Sequence, residues 1–473
     1  MSVVPARSRW KVRLWSSGLL ALAVAGILVY LGWRQSGPGV EARVTPTPRF
    51  VGRSTPLTLT LEAGRGRIAE AEVRLVQGTT VAVVMKQATP AGRRLEIPIT
   101  VEGGTLGLKE GGATLEVWAR DDYWRPLRRN DAPAASVPVT IDLTPPSIQM
   151  LAATQYLHQG GGGLVAFRLS GGESAEVAAG GLHYPSFPAS DGSARIALVA
   201  VPWNLPPGTS VAVTARDEAG NVTTRAVPSE IRARRFRSDT IRIPDDFLRA
   251  KISELLPQHP PSRSLLDGFL VINRDQRRQA EEEKRRLAAK TADHPLWEGP
   301  FVQPRNTKVF SNFAETRAYV YQGREVDQQV HLGFDLASLK QSPVPAANKG
   351  VVVFTGPLTI YGNTVVLDHG LGLQTLYAHM SAITVKAGDA VEKNQELGRT
   401  GATGLAIGDH LHFEVLIHGV SVTPVEWWDA KWIRDHIGRP LQEAGLPPIA
   451  GVGAATQSGA VVAPRSRRIG GPG

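Results

Sequence analysis

The sequence predicts a mostly β protein of several domains, preceded by an apolar helix. The chain has 473 residues, which is too many for a single hydrophobic core. Glycine (49 residues) and proline (34 residues) are abundant and only 6% of residues are aromatic, which favours turns and short strands over long helices. Alternating runs such as "PLTLTLEA" and "RLEIPITV" recur between turns that contain glycine or proline. We therefore expect about two to four domains built mainly from strands.

Composition also limits the function classes. The formal net charge is +10, but the basic residues are scattered and no nucleic-acid-binding motif accompanies them, so we predict no nucleic-acid partner. The chain has no cysteine, which excludes disulfides and a thiolate nucleophile. Any metal must then be bound by His, Asp or Glu, a chemistry that an oxidising compartment tolerates.

Residues 1–36 are predicted to form a basic cytoplasmic stub and a transmembrane anchor. An uncharged stretch at residues 14–33, long enough to span a bilayer core, follows four basic residues, Arg7, Arg9, Lys11 and Arg13. A cleaved signal peptide, the alternative, would have a shorter apolar region ending in a small-residue cleavage site. Because positive residues stay cytoplasmic, we expect a single-pass protein of the cytoplasmic (inner) membrane. Most of the chain would then lie in the periplasm or another extracytoplasmic space.

Residues 40–142 and 143–236 are predicted to form a tandem pair of immunoglobulin-like β-sandwiches. Both contain short alternating strands, and the run "SVAVTARDEAGNVTTRAV" parallels "TLEVWARDDYWRPLRR" in an alternating segment followed by Ala-Arg-Asp and a turn. The alternative is a single irregular β domain.

Residues 244–295 are predicted to form a helical connector. The run "DDFLRAKISELL" places apolar residues on one helical side, and "DQRRQAEEEKRRLAAKTA" has opposite charges four residues apart. The connector is either a rigid spacer or a cover for the next domain, and the charge run favours the spacer. Residues 446–473 have no apolar period and are predicted to be disordered.

Six of the eleven histidines lie between His331 and His418, and this uneven density suggests a site. In "GDHLHFEV", residues 408–415, a strand would place His410 and His412 on one face with Glu414. In "HLGFDLAS", His331 and Asp335 share a face of an extended segment, with Gly333 leaving space for a ligand. His379 ends a predicted strand in "LYAHM". Each pattern alone also fits an ordinary polar strand face, whereas together they indicate a metal or catalytic site.

These motifs together resemble the lysostaphin/LytM family of zinc metallopeptidases, which are peptidoglycan endopeptidases. The resemblance rests on "HLGFD", "YGNTVVLDHG", "LYAHM", "VKAGDAV" with "LGRTGATG", and "HLHFEV", in the family order over residues 305–429. It implies a small antiparallel β domain at about residues 300–445, with a groove across one zinc ion. It also implies site roles: metal ligands His331, Asp335 and His412, and catalytic residues His410 and His379.

The expected chemistry agrees with those roles. Three protein ligands leave the fourth tetrahedral position of zinc to a water whose pKa falls to about 7. His410 can take the proton of that water, and His379 can donate to the tetrahedral oxyanion. Glu414 is not needed as a base and is expected to orient a ligand or pair with a basic residue. His369 and His418 are expected to be structural or exposed.

Some segments depart from the family pattern or permit two interpretations. Asn394 replaces a usual glycine, which asparagine can do because it tolerates positive φ. The segments "KQSPV" and "AIGDHLH" are also unusual, and their departures from the pattern affect loop residues and none of the predicted ligands. In "TPVEWWDAKWIRDHI", Thr423 is a candidate N-cap before Pro424, and the tryptophans indicate a packing helix. An aromatic carbohydrate platform is the alternative.

The predicted function is a membrane-anchored zinc metalloendopeptidase. It would hydrolyse peptide cross-links or stem peptides of peptidoglycan by attack of a zinc-bound water, a substrate that only the resemblance implies. One alternative is a non-catalytic LytM-domain regulator or scaffold of cell-wall hydrolysis, although all five site residues are present. Another is a lipoyl-like carrier suggested by "VKAGDAV", which leaves the histidines unexplained. The sequence does not identify a regulatory protein partner.

Overall fold

A computed structural model describes residues 7–88, 92–127, 132–260 and 262–452. As predicted, the described chain is mostly β, with an apolar helix at the amino end and a β domain at the carboxyl end. It divides into two compact units. One contains Met1–Pro146, Gly171–Ser174 and Arg216–Thr223; the other contains Ser147–Ser170, Ala175–Ala215 and Thr224–Gly473. Residues 453–473 of the predicted disordered tail lie outside the described residues. For residues 446–452 the prediction is wrong, because Leu446, Ile449 and Val452 are buried in the apolar cluster of the carboxyl-terminal domain.

The amino-terminal helix α1 spans Arg7–Gln35. Its segment Ser17–Gln35 is long and apolar enough to cross a membrane by length and composition. An uncleaved anchor and a signal sequence share these properties, so the anchor stays a prediction.

The first β region has two sheets and one core. Its strands are β1 Val40–Thr45, β2 Phe50–Val51, β3 Thr55–Ala63, β4 Ile68–Gln77, β5 Thr80–Ala88, β6 Arg94–Val101, β7 Gly111–Asp121 and β8 Ala135–Ile141. The sheets have the orders β1-β3-β6 and β2-β8-β7-β4-β5. Leu59 of the smaller sheet and Val73 and Val117 of the larger are fully buried in the same core. The alternating apolar residues that predicted these strands therefore face the opposite sheet.

The second β region, in contrast, shares a core with the carboxyl-terminal domain. Its strands are β9 Ser147–Ala153, β10 Tyr156–His158, β11 Gly162–Ser170, β12 Ser174–Ala179, β13 Leu182–Pro185, β14 Phe187–Pro188, β15 Arg195–Ala200, β16 Val211–Arg216, β17 Val222–Ala226 and β18 Glu230–Arg232. They form the sheets β14-β15-β11-β9, β13-β12-β16-β17 and β10-β18. Val199 and Leu198 belong to one continuous apolar cluster with Ile417 and Trp427. The predicted boundary at residue 236 therefore does not separate two hydrophobic cores.

The connector is a strand followed by helices. Its elements are β19 Ser238–Arg242, α2 Asp245–Leu255, α3 Leu265–Leu270, a π-helical stretch Val271–Gln276 and α4 Arg277–Ala288. α4 buries Ala280, Lys284 and Leu287 despite its high charge. Leu287 packs in a cluster that also contains Leu376 and Leu416 of the following domain. The connector thus covers that domain, and the spacer interpretation is wrong for α4.

The carboxyl-terminal domain is built on an eight-stranded sheet. Its strands are β20 Lys308–Ser311, β21 Glu315–Tyr321, β22 Arg324–His331, β23 Phe334–Ala337, β24 Pro343–Pro345, β25 Gly350–Pro357, β26 Asn363–Asp368, β27 Leu373–Ala378, β28 Ala382–Ile383, β29 Ala390–Val391, β30 Glu396–Arg399, β31 Leu411–Ile417 and β32 Val420–Val422. The large sheet has the order β20-β23-β31-β27-β26-β25-β29, with β32 paired to β31. Two three-stranded sheets, β24-β30-β28 and β19-β21-β22, use strands that alternate along the chain with those of the large sheet.

Short helices close the described chain: α5 Pro424–Trp428, α6 Ala430–Ile433, a π-helical turn Arg434–Gly438 and α7 Arg439–Glu443. Trp427 is fully buried, and Trp428 stacks on Phe413 with ring centroids 5.6 Å apart. These contacts fit a packing segment rather than a carbohydrate platform. Thr423 precedes Pro424 as predicted, but its side chain makes no capping hydrogen bond.

Candidate active site

Three neighbouring strands bring the predicted metal ligands together. β22 ends at His331, and β23 carries Asp335 directly opposite His412 of β31 in the antiparallel register. Gly333 lies between the first two, where a Cβ would stand 2.6 Å from His412 Nε2. The missing side chain therefore makes room for the His412 ring, rather than for a ligand as the sequence suggested.

The three ligand atoms form a small triangle. His331 Nε2 lies 3.0 Å from Asp335 Oδ1 and 2.9 Å from His412 Nδ1, and His412 Nδ1 lies 2.9 Å from Asp335 Oδ1. All three residues are buried. Two imidazole nitrogens and a carboxylate oxygen are a donor set that suits zinc.

The hydrogen bonds around the triangle test whether a cation fits it. His331 Nδ1 donates to the Asn312 carbonyl over 2.9 Å, so Nε2 has its lone pair inward. Burial lowers the pKa of His331 to about 4, which keeps this ring neutral. Burial also disfavours charge on His412, but the carboxylates of Asp335 and Glu414 outweigh it and raise the pKa of that ring. Two imidazole nitrogens and one carboxylate oxygen therefore face the same point, and a metal cation fits there.

Two further side chains orient the ligands from behind. Arg317 Nη2 donates to Asp335 Oδ2 over 2.7 Å, which leaves Oδ1 for the triangle. His412 Nε2 donates to Glu414 Oε1 over 2.9 Å, which directs Nδ1 at the same point. Glu414 is itself fully buried and forms an ion pair with Lys284 of α4 at 2.9 Å. Glu414 thus both orients a ligand and pairs with a basic residue.

The two predicted catalytic histidines lie beside the triangle. His410 Nδ1 donates to the Gly408 carbonyl over 2.7 Å, and its Nε2 lies 3.4 Å from Asp335 Oδ1. His379 Nδ1 donates to the Thr403 carbonyl over 2.8 Å, and the two rings are 4.8 Å apart between centroids. Burial holds the pKa of His379 well below its usual range. In neutral rings with these bonds, Nε2 of each histidine is a proton acceptor.

His379 has an unusual backbone conformation, with φ of +61°. Its amide donates to the Tyr361 carbonyl over 2.8 Å, which holds the residue in this conformation. This φ lies in the left-handed region, which few non-glycine residues adopt and which histidine tolerates better than most.

The five residues line one cleft of about 330 Å³. The metal-site strands and the loop before His410 line this cleft, and the connector adds mostly apolar side chains to the lining. The connector side and the adjoining hairpin contribute Ile241, Ile243, Phe247, Phe269, Arg277 and Arg317. Arg277 donates to the carbonyl and side chain of Asn273 and lies half-buried at this wall.

The remaining histidines of the domain lie elsewhere. His369 is fully buried, with Nδ1 bonded to the Lys349 carbonyl and Nε2 near Thr375 Oγ1. His418 packs against Tyr184 and Phe187 of the second β region. Asn394, the residue that replaces a usual glycine, has φ of +70°.

Sequence reasoning missed three polar residues of the site: Lys284, Arg317 and Tyr361. Tyr361 lies in the motif "YGNTVVLDHG" and donates to Glu414 Oε1 over 2.5 Å, so the motif contained the signal. Lys284 and Arg317 lie in charged or alternating runs that look like solvated surface.

Known proteins resemble this part of the chain. The model of peptidase family M23 matches residues 329–424. The DD-carboxypeptidase/endopeptidase Mpg of Neisseria meningitidis is 41% identical over 97 residues, 20% of this chain and 22% of that protein. The peptidoglycan DD-endopeptidase ShyA of Vibrio cholerae is 36% identical over 119 residues, 25% of this chain and 27% of that protein. The similarity thus spans about a quarter of each relative's length.

Among solved structures, the catalytic domain of the antimicrobial peptidase lysostaphin from Staphylococcus simulans is 26% identical to this chain. The alignment covers 26% of this chain and 92% of that domain, with a TM-score of 0.23.

Proposed function

Because residues 329–424 form a peptidase family M23 domain, we propose that this protein is a zinc-dependent endopeptidase that cleaves the peptides of peptidoglycan. Peptidases of this family hydrolyse peptidoglycan and depend on zinc. The convergence of three ligand atoms within about 3 Å of one another, beside two imidazoles in a cleft, is the observation that supports the proposal most strongly.

In this proposal His331, Asp335 and His412 hold one zinc ion. Bound zinc supplies Lewis-acid activation of a peptide carbonyl and of water. Arg317 and Glu414 orient two of these ligands. Arg317 binds Asp335 Oδ2, and Glu414 binds His412 Nε2.

His410 is the proposed proton acceptor. Its Nδ1–H is engaged by the Gly408 carbonyl, so Nε2 can take the proton of the attacking water and later return it to the leaving amine. His379 is the proposed partner of the oxyanion. As a neutral ring bonded to Thr403 it presents Nε2 as an acceptor, so it can take the second proton of the attacking water and then donate it to the oxyanion.

The cleft walls are compatible with a peptide that bears carboxylates. Apolar connector side chains line the cleft, and Arg277 donates to two atoms of Asn273 and to no carboxylate in the described part of the chain. A substrate carboxylate would satisfy this guanidinium.

We place the protein at the cytoplasmic membrane, with α1 as an uncleaved anchor and the two β regions as immunoglobulin-like sandwiches outside it. Support comes from the length and composition of α1, from the two sheets of the first β region and from the two four-stranded sheets of the second. Protease added to spheroplasts should degrade the chain beyond about residue 36. Protection of the carboxyl-terminal domain would contradict this topology.

Enzymatic activity is tested with full-length protein in detergent, incubated with intact peptidoglycan sacculi and analysed by mass spectrometry of the released fragments. We expect new amino termini, released at least about a hundredfold more slowly by His410→Ala or His379→Ala at equal zinc content. A chelator-treated sample is the control. If fully zinc-loaded wild type binds sacculi without releasing fragments, the regulator or scaffold function replaces this one.

A further inference from the structure

Lys284 reaches the back of the candidate metal site from a helix outside the matched segment. It lies on α4, and its side chain is 0% exposed. Fully buried lysines are rare unless they are paired. Its Nζ forms ion pairs with Glu414 Oε2 at 2.9 Å and Glu281 Oε1 at 2.7 Å. It also lies 3.1 Å from both Tyr361 Oη and Ser421 Oγ. The buried ammonium therefore has a complete set of partners.

The Glu414 carboxylate has four hydrogen-bond donors. Oε1 accepts from His412 Nε2 and from the Tyr361 hydroxyl, whereas Oε2 accepts from two other groups, Lys284 Nζ and Ser421 Oγ at 2.9 and 2.7 Å. Because both oxygens are engaged, the carboxylate has one orientation, in which Oε1 faces His412. Lys284 contributes the full positive charge that opposes the buried carboxylate from α4.

This orientation decides which nitrogen of His412 faces the metal site. With Nε2–H donated to Glu414, Nδ1 is directed at Asp335 Oδ1 and His331 Nε2. A carboxylate behind a metal-binding histidine fixes the ring and increases its strength as a ligand. Any residue that fixes the carboxylate acts on the same ring.

We propose that Lys284 is a positioning residue of the metal site, which acts through Glu414 on His412 and makes α4 a part of that site. The proposal rests on the zinc site of the proposed function. Without Lys284, the buried carboxylate of Glu414 loses an ionic partner whose attraction offsets the cost of its desolvation. The carboxylate then shifts toward its remaining donors or toward water, and its hold on His412 Nε2 weakens.

A purely structural role for Lys284 predicts a different result. In that case the ion pair only attaches α4 to the sheet, so its loss lowers stability and leaves the affinity for zinc unchanged. Zinc affinity, measured on the folded protein without substrate, separates the two roles.

The experiment measures the zinc dissociation constant of the full-length protein in detergent by competition with a chelator of known affinity. Lys284→Met, which keeps the length and removes the charge, should raise the constant on the order of tenfold. Leu287→Ala is the matched control, because Leu287 is fully buried on the same helix and its side chain is not among the Glu414 partners. It should lower the melting temperature and keep the wild-type constant. A Lys284→Met constant within about twofold of wild type would overturn the proposal.

Two further variants cover the case in which Lys284→Met does not fold. Lys284→Gln keeps a donor without the charge, and Ser421→Ala removes a different donor to Glu414. Each should weaken zinc binding severalfold, and wild-type affinity in both would overturn the proposal. In a Glu414→Gln background, Lys284→Met should add no further loss, whereas additive losses would show that Lys284 does not act through Glu414.

Failure of the two proposals can be distinguished. A wild type that binds zinc tightly but cleaves no sacculi contradicts the proposed function and leaves the effect of Lys284 on zinc measurable. A wild type that binds no zinc overturns both.

Discussion

The matched segment, residues 329–424, and the segment before it, residues 238–321, contribute to the site in different ways. All five candidate ligands and catalytic residues lie in the matched segment. The preceding segment supplies Arg317 and Lys284, which bind the outer side of Asp335 and of Glu414. The candidate site residues thus lie inside the segment that the family model matches, whereas part of their orientation comes from elements outside that segment.

The largest effect is expected inside the matched segment. Alanine at any one of the three ligands, His331, Asp335 or His412, should reduce zinc content from about one per chain to near zero, because tight catalytic zinc sites use three protein ligands. Metal analysis after dialysis measures this. His294→Ala, at an exposed histidine before the matched segment, is the control. Undiminished zinc in the three ligand variants would mean that another cluster holds the metal.

A second prediction concerns the pH dependence of stability. It compares His369, which is buried in the matched segment, with His294, which is exposed before it. Burial lowers the pKa of His369 to about 4, against an ordinary value near 6.5. The unfolded chain therefore binds a proton that the folded chain excludes between these values. Stability should be complete above about pH 6.5 and fall as the pH drops toward 4, by up to about 3 kcal/mol.

Denaturant unfolding at pH 7 and pH 5 measures this linkage. His369→Gln should reduce the difference between the two pH values, while the exposed control His294→Gln should leave it unchanged. An equal difference in His369→Gln and in the wild type would contradict the assignment.

A third effect tests how tightly the matched segment packs around its own ligand. Gly333→Ala should destabilise the protein by about 1–3 kcal/mol, because the new Cβ would lie 2.6 Å from both His412 Nε2 and the Phe413 carbonyl oxygen. The displaced ring should also bind zinc more weakly. Gly112→Ala is the control, since nothing lies within 4 Å of its Cβ position. Thermal melting with zinc titration measures both changes, and wild-type values would show that the ring can move freely.

The smallest effect tests the segment before the match. Arg317→Gln should raise the zinc dissociation constant on the order of tenfold, because Asp335 Oδ2 loses a 2.7 Å charge-assisted hydrogen bond. Arg324→Gln, at an exposed position of the same hairpin, is the control. An unchanged zinc dissociation constant in Arg317→Gln would show that the matched segment orients Asp335 without help from the segment before it.

The sequence predicted which candidate site residues lie together better than it predicted their surroundings. The alternation of "HLHFEV" was enough to place His410 and His412 on one face, and strand register then placed His412 opposite Asp335. Lys284 could not be found in this way. Its run of charges is typical of a solvated helix, and the carboxylate that permits its burial lies 130 residues further along the chain. No local pattern encodes such a pair.

The shared core was missed for a similar reason. The strands of both β regions alternate in the same manner, and alternation shows which face is buried without showing what buries it. The Gly162 amide donates to Glu426 over 3.0 Å across 264 residues of sequence. Only the tertiary structure distinguishes the second β region, which packs on the peptidase domain, from the first, which has a core of its own.

The peptidase domain of this chain depends on contacts with the second β region, so recombination could not move it alone to another gene without loss of those contacts. Glu426 is buried between the Gly162 amide and Arg234 Nη2, and the Thr423 amide donates to the Gly160 carbonyl. A gene fusion that begins near residue 240 would transfer the catalytic motif but leave a buried carboxylate and a wide apolar surface uncovered, which favours aggregation. A segment that begins near Ser147 keeps these contacts. We therefore expect evolution to gain, lose or duplicate the second β region and the peptidase domain as one unit.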